Sequence, residues 1–191
     1  RFWFDFGDLA NGIQESWKGQ RLADGLPVIT TIIEQQDARY EVEQYAYPLN
    51  GPPGQRRGDI PMVLLQKVKV TNLRSRDMTI SVNMHHRRQL DSADSEEMTY
   101  RSEGDTFVFE SNASRRILFA VAGSDLEINS FVMKQDPREP NDKTQSHWRQ
   151  FDTTLTFRLD ADASREFIVK LPSPTVLPED RDKLIELDYD A

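Results

Sequence analysis

His85-His86-Arg87-Arg88 places two of the chain's three imidazoles side by side with two guanidiniums. Paired imidazoles serve general acid–base catalysis and metal ligation. The spacing here argues against both. Met78, Ile80, Val82 and Met84 alternate with Thr79, Ser81 and Asn83, the period-two pattern of a half-buried strand. Continued onward, that pattern puts His86 on the apolar face and His85 on the polar face. Strand neighbours face opposite sides of a sheet, so the two rings cannot share one metal or substrate without a bulge. Adjacent histidines also lack the helical spacing of a zinc pair. His147 falls in a distant polar loop. The run therefore reads as a strand end with a solvated arginine pair.

Other chemistry is sparser. With 32 acidic residues, carboxylate pairs of the kind that hydrolyse glycosides are inevitable and uninformative. Asp91–Glu97, DSADSEE, offers oxygen ligands for calcium but lacks the EF-hand spacing and its glycine, and reads as a solvated loop. There is no phosphate-binding glycine loop, no G-x-S-x-G elbow and no H-E-x-x-H. No metal or cofactor is expected. Asn112-Ala113-Ser114 matches a glycosylation sequon. Aromatic rings hold sugars, and Trp17, Tyr45, Tyr47 and Trp148, with Trp3, are the candidates for carbohydrate binding. The competing reading is that each caps the core or packs on a neighbouring domain.

The 191 residues suffice for one ordinary domain. A net charge of -8 argues against nucleic acid, whose phosphates need a basic partner. The absence of cysteine excludes disulfides and thiolate chemistry. No stretch approaches the roughly 18 apolar residues of a membrane-spanning helix, and no membrane partner is expected. The chain begins in strand-like sequence without a starting Met and ends abruptly in LIELDYDA, which reads as a fragment or a processed form.

Alternation recurs throughout. Phe2, Phe4 and Phe6 oppose Trp3 and Asp5; Tyr40 and Val42 oppose Glu41, Glu43 and Tyr45; Leu64, Val68 and Val70 oppose Lys67 and Lys69; Phe151, Thr153, Leu155, Phe157 and Leu159 oppose Asp152, Thr154, Thr156 and Arg158. About ten to twelve strands at intervals of about a dozen residues, without a long helix, predict an all-β, large antiparallel two-sheet sandwich. Residues 1–171 form this domain. Residues 172–191 read as a Pro-rich linker and the start of a helix, with too few apolar residues to pack on the sandwich.

The runs LADGLPVITTIIEQQDARYEVEQYAYPL and VLLQKVKVTNLRSRDMTISV resemble the N-terminal β-supersandwich domain of bacterial proteins that carry a six-hairpin, (α/α)-toroid glycosidase domain. The segment PTVLPEDRDKLIELDYDA is similar to that family's connection into the toroid. The resemblance implies a galactose-mutarotase-like supersandwich. It also implies a non-catalytic accessory role, with the catalytic carboxylates in a toroid domain of the same polypeptide and a periplasmic or extracellular parent protein. Asn50–Pro61 and Lys134–Ser146 would be the loops that shape the sugar cleft. Such a docking domain should expose apolar surface. The alternatives are a stand-alone carbohydrate-binding module, with aromatic side chains aligned on one exposed face, and a mutarotase-like epimerase. The epimerase requires His85 or His86 in a concave pocket beside a carboxylate.

Overall fold

The computed structural model describes residues 2–6, 17–23, 25–51, 60–90, 98–112, 114–135 and 147–189. Two antiparallel sheets form a sandwich. The smaller contains β1 (Phe2–Phe6), β6 (Met78–Leu90), β11 (His147–Leu159) and β10 (Glu127–Gln135), in that spatial order. The larger has eight strands in the order β2 (Trp17–Leu22), β3 (Ile29–Gln35), β4 (Ala38–Pro48), β5 (Met62–Asn72), β12 (Ser164–Ser173), β9 (Ile117–Ala122), β8 (Thr106–Ser111) and β7 (Met98–Glu103). The architecture is the all-β two-sheet sandwich that the alternation predicts. Trp17, in a loop-like stretch of sequence, instead opens β2, and His147 opens β11 opposite Leu90.

The inward positions of the two sheets meet in the main core. Phe109 and Phe119 stack at 4.2 Å at its centre, and Val68, Val82, Leu155 and Phe167 are buried around them. Phe6 lies 4.5 Å from the Tyr40 ring and brings β1 over the larger sheet. One end of the sandwich is closed by polar side chains. Asn72 is fully buried; its Nδ2 donates to the carbonyls of Arg76 (2.9 Å) and Asp160 (2.8 Å), and its Oδ1 accepts the Arg74 amide (2.8 Å). It thereby ties the β5–β6 turn to the β11–β12 turn. Beside it, Gln36 and Asp37 turn β3 into β4 at φ 52° and 62°, the left-handed pair of a two-residue hairpin. The Asp37 carbonyl accepts the Leu73 amide at 2.8 Å.

The C-terminal segment corrects one expectation. Pro172 and Ser173 are not linker: they extend β12 opposite Val63 and Met62. Beyond them the chain crosses the outer face of the larger sheet. Val176 exchanges backbone hydrogen bonds with Ile117 (2.8 and 3.1 Å). A 3-10 turn at Pro178–Asp180 leads into α1 (Arg181–Glu186). Leu184 and Tyr189 are buried against Val63, Leu65, Val108 and Ala120, forming a second core. The segment has few apolar residues, but they meet a sheet face that is itself apolar.

Burial pushes the Tyr40 hydroxyl up to about 12 from the ordinary 10. Its phenol then stays neutral in the fold while the unfolded chain ionises, so stability is intact below pH 10 and lost as pH rises through 12. The full loss is about 3 kcal/mol. Urea unfolding at pH 9 and pH 12 is expected to show this loss, and Tyr40→Phe to reduce it.

Candidate functional site

A compact set of polar side chains lies on the outer face of the four-stranded sheet. Register places Trp3, His85 and Asp152 in one row across β1, β6 and β11, and Asp5, Asn83 and Thr154 in the next. His85 Nδ1 lies 2.6 Å from Asp152 Oδ1. On the other side of the ring, Asp5 Oδ2 sits 2.8 Å from Nε2, a close contact without the alignment of a good hydrogen bond. The three side chains are 13–16% exposed. Trp3 stacks on the imidazole at 5.1 Å and 17°. Gln150 Nε2 donates to Asp152 Oδ1 (2.8 Å), Thr154 donates to Asn83 Oδ1 (2.8 Å), and Ser130 donates to Thr154 (3.0 Å).

This arrangement holds β1 in place. A catalytic histidine pairs one nitrogen with an orienting carboxylate and turns the other toward a nucleophile or substrate. In His85 the second nitrogen meets another carboxylate, and one ring face is covered by indole. The two carboxylates contact opposite nitrogens, so they do not converge on a shared ion, and no cluster of metal-ligand type occurs among the described residues. His86 points the other way, as alternation requires. It packs between the sheets near Phe119 (5.7 Å) and Phe151 (6.5 Å). The histidine beside carboxylates is thus on the outer face, and the histidine between the sheets is among aromatic rings.

A second cluster lies beneath the C-terminal segment. Tyr45 and Tyr47 are half-buried on the outer face of β4. The Tyr45 ring meets Tyr189 edge-on at 5.0 Å, and its hydroxyl donates to the Tyr189 carbonyl. The Tyr189 hydroxyl donates to Glu43 (2.8 Å), and the Lys67 ammonium lies 4.4 Å above the Tyr189 ring. Nearby, the buried Lys170 donates to the Ile185 carbonyl at 2.5 Å. Burial pushes its ammonium below the ordinary lysine range, and the charge of Asp188 partly restores it.

The four sugar-stacking candidates do not share a face. Tyr45 and Tyr47 are under the C-terminal segment. Trp17 is 54% exposed on edge strand β2, paired with Ile33. Trp148 lies in β11 of the other sheet, paired with Gln89; its side chain is outside the described set. Asp91–Glu97, and residues 52–59 and 136–146 of the two loops expected to shape a cleft, also lie outside the described residues. Alternation along β6 sends the two histidines to opposite faces, but Asp5 and Asp152 come to His85 only through strand pairing. No family model matches the chain, and no curated protein matches it in sequence.

His85→Ala is expected to cost about 2–4 kcal/mol, because two poorly solvated carboxylates lose the ring between them. The amides of Phe2–Phe6 should then exchange faster than those of β5 and β12, which hydrogen-exchange NMR would show. For Lys170 the folded value lies below the unfolded one, so the fold binds fewer protons between them and stability rises with pH toward about 10.5. Lys170→Met should hold stability within about 1 kcal/mol at pH 7, since losing the bond to Ile185 offsets relief from burying charge. It should also flatten the rise, as read by urea unfolding between pH 7 and pH 10.

Proposed function

We propose that this chain is a non-catalytic accessory domain of a carbohydrate-active, glycoside-hydrolase-like protein. It docks an (α/α)-toroid domain of the same polypeptide and shapes the rim of that domain's sugar cleft. The observation that carries the reading is the apolar surface along one edge of the larger sheet, where β2 is the outermost strand among the described residues. Trp17 and Leu22 on β2, and Leu26 in the turn that follows, are 54%, 66% and 61% exposed. Large exposed apolar side chains along one strand and its turn favour a partner surface over solvent, and an edge strand that pairs on one side only among the described residues is open to coverage. The closed His85 cluster supports the same reading, because its geometry ties strands together and leaves no nitrogen turned toward a substrate. The resemblance of the 22–49 and 63–82 stretches to supersandwich domains supplies the carbohydrate context.

The reading frame beyond Ala191 is the first test. A run of paired amphipathic helices is expected there. In that longer protein the Trp17 indole should be shielded from an aqueous fluorescence quencher, while in the present chain it is quenched. A frame that closes soon after Ala191, or a Trp17 equally quenched in both proteins, would sink the proposal. So would acceleration of sugar anomer exchange by this chain if His85→Ala or His86→Ala abolished it.

A further inference from the structure

Tyr189 is buried in the second core, yet three of its contacts are with polar or charged groups that a ligand could also use. Its ring stands against Tyr45, its hydroxyl is received by a carboxylate, and an ammonium covers its face. The Tyr45 hydroxyl also reaches it, through the backbone carbonyl. We propose that Tyr189 is an intramolecular stand-in for a pyranose, closing a sugar site walled by Tyr45 and served by Glu43 and Lys67. The inference rests on the carbohydrate context proposed above and places a ligand site within this domain.

The chemistry around Tyr189 suits a polyol better than a phenol. Glu43 accepts hydrogen bonds, whereas the Tyr45 hydroxyl and the Lys67 ammonium donate them. A phenol has one hydroxyl, and the other two groups meet Tyr189 through its carbonyl and its ring face. A pyranose carries hydroxyls that both donate and accept, and a flat C–H face that packs on an aromatic ring. It could answer all three groups at once. Tyr47, half-buried two residues along the same strand face, extends the aromatic wall.

Opening the site takes Leu187 and Tyr189 out of the second core but need not move a strand. Leu184 is fully buried and anchors α1, which ends at Glu186. Leu187 is already extended, at φ -60° and ψ 109°. Release of Leu187–Tyr189 would therefore uncover the site while α1 stays seated. A ligand that competes with a closed state binds with an affinity reduced by the fraction of molecules that are open. The native chain should bind sugar weakly, and a chain without the Tyr189 side chain should bind it better.

The test uses the full 191-residue chain, labelled for NMR and titrated with the methyl glycosides of glucose, galactose, mannose and xylose. Tyr189→Ala is expected to bind at least one of them about tenfold more tightly than the native chain, with shifts centred on the amides of Glu43, Tyr45 and Lys67. Adding Glu43→Gln should remove most of that binding. Tyr189→Phe keeps the ring and loses only the bond to Glu43, so it guards against a folding defect and should give a smaller gain. Equal affinity in native, Ala and Phe chains overturns the inference. A folded Tyr189→Ala chain with no shift at these residues does so too. Neither result bears on whether Trp17 is covered in a longer protein, so the site and the docking reading can fail separately.

Discussion

Strand β5 is apolar on both sides, and much of the architecture follows from that. Val68 and Val70 are fully buried toward the smaller sheet, while Val63 and Leu65, a few residues earlier, are fully buried on the opposite face. Burying a Val or Leu side chain contributes about 1.5–3 kcal/mol. Leaving Val63 and Leu65 bare would forfeit an amount comparable to a large part of a domain's net stability. The eight-stranded sheet therefore needs two covers. The smaller sheet is one, and the segment from Val176 to Tyr189 is the other. Neighbouring β12 obeys the same demand, with Phe167 and Val169 inward and Lys170 beneath the second cover.

Alternation makes much of this legible in the sequence itself. It sorted the faces of β1, β4, β6 and β11, and it separated His85 from His86. What it could not supply was pairing across the chain. Asp152 joins His85 from 67 residues away, and nothing local in either strand announces the other. The second cover was hidden for a different reason. Val176, Leu184 and Tyr189 are too widely and unevenly spaced to show a helical stripe. The signal for it lay instead in the sheet, where Val63-Leu64-Leu65 breaks the alternation of β5 with consecutive apolar residues. Trp17 reads as loop because Gly19 follows closely, and the structure absorbs that glycine in an irregularity of the β2–β3 pairing.

The two polar clusters illustrate opposite uses of partly buried polar groups. Around His85, carboxylates and an indole contact the imidazole on the face of a sheet, and the product is mechanical: a five-residue edge strand is fastened to its neighbours. Under the C-terminal segment, Glu43, Lys67 and Lys170 instead meet Tyr189 and Ile185, groups that belong to neither sheet. Contacts of the first kind persist as long as the sheet does. Those of the second kind can exchange one partner for another without disturbing a single strand.

The Asn72 clamp divides the molecule into unequal poles. At its pole the β3–β4, β5–β6 and β11–β12 turns are short and locked through backbone carbonyls, so one residue more or fewer would misplace Arg76 or Asp160 relative to the amide that holds them. At the far pole β4, β6 and β10 end at Pro48, Leu90 and Gln135, and the chain re-enters at Met62, Met98 and His147. Those connections are not bound by the clamp. Changes in length should accordingly accumulate at the far pole over evolutionary time while the Asn72 pole keeps its residue count. The sandwich can then acquire new rims and new neighbours without renegotiating its fold.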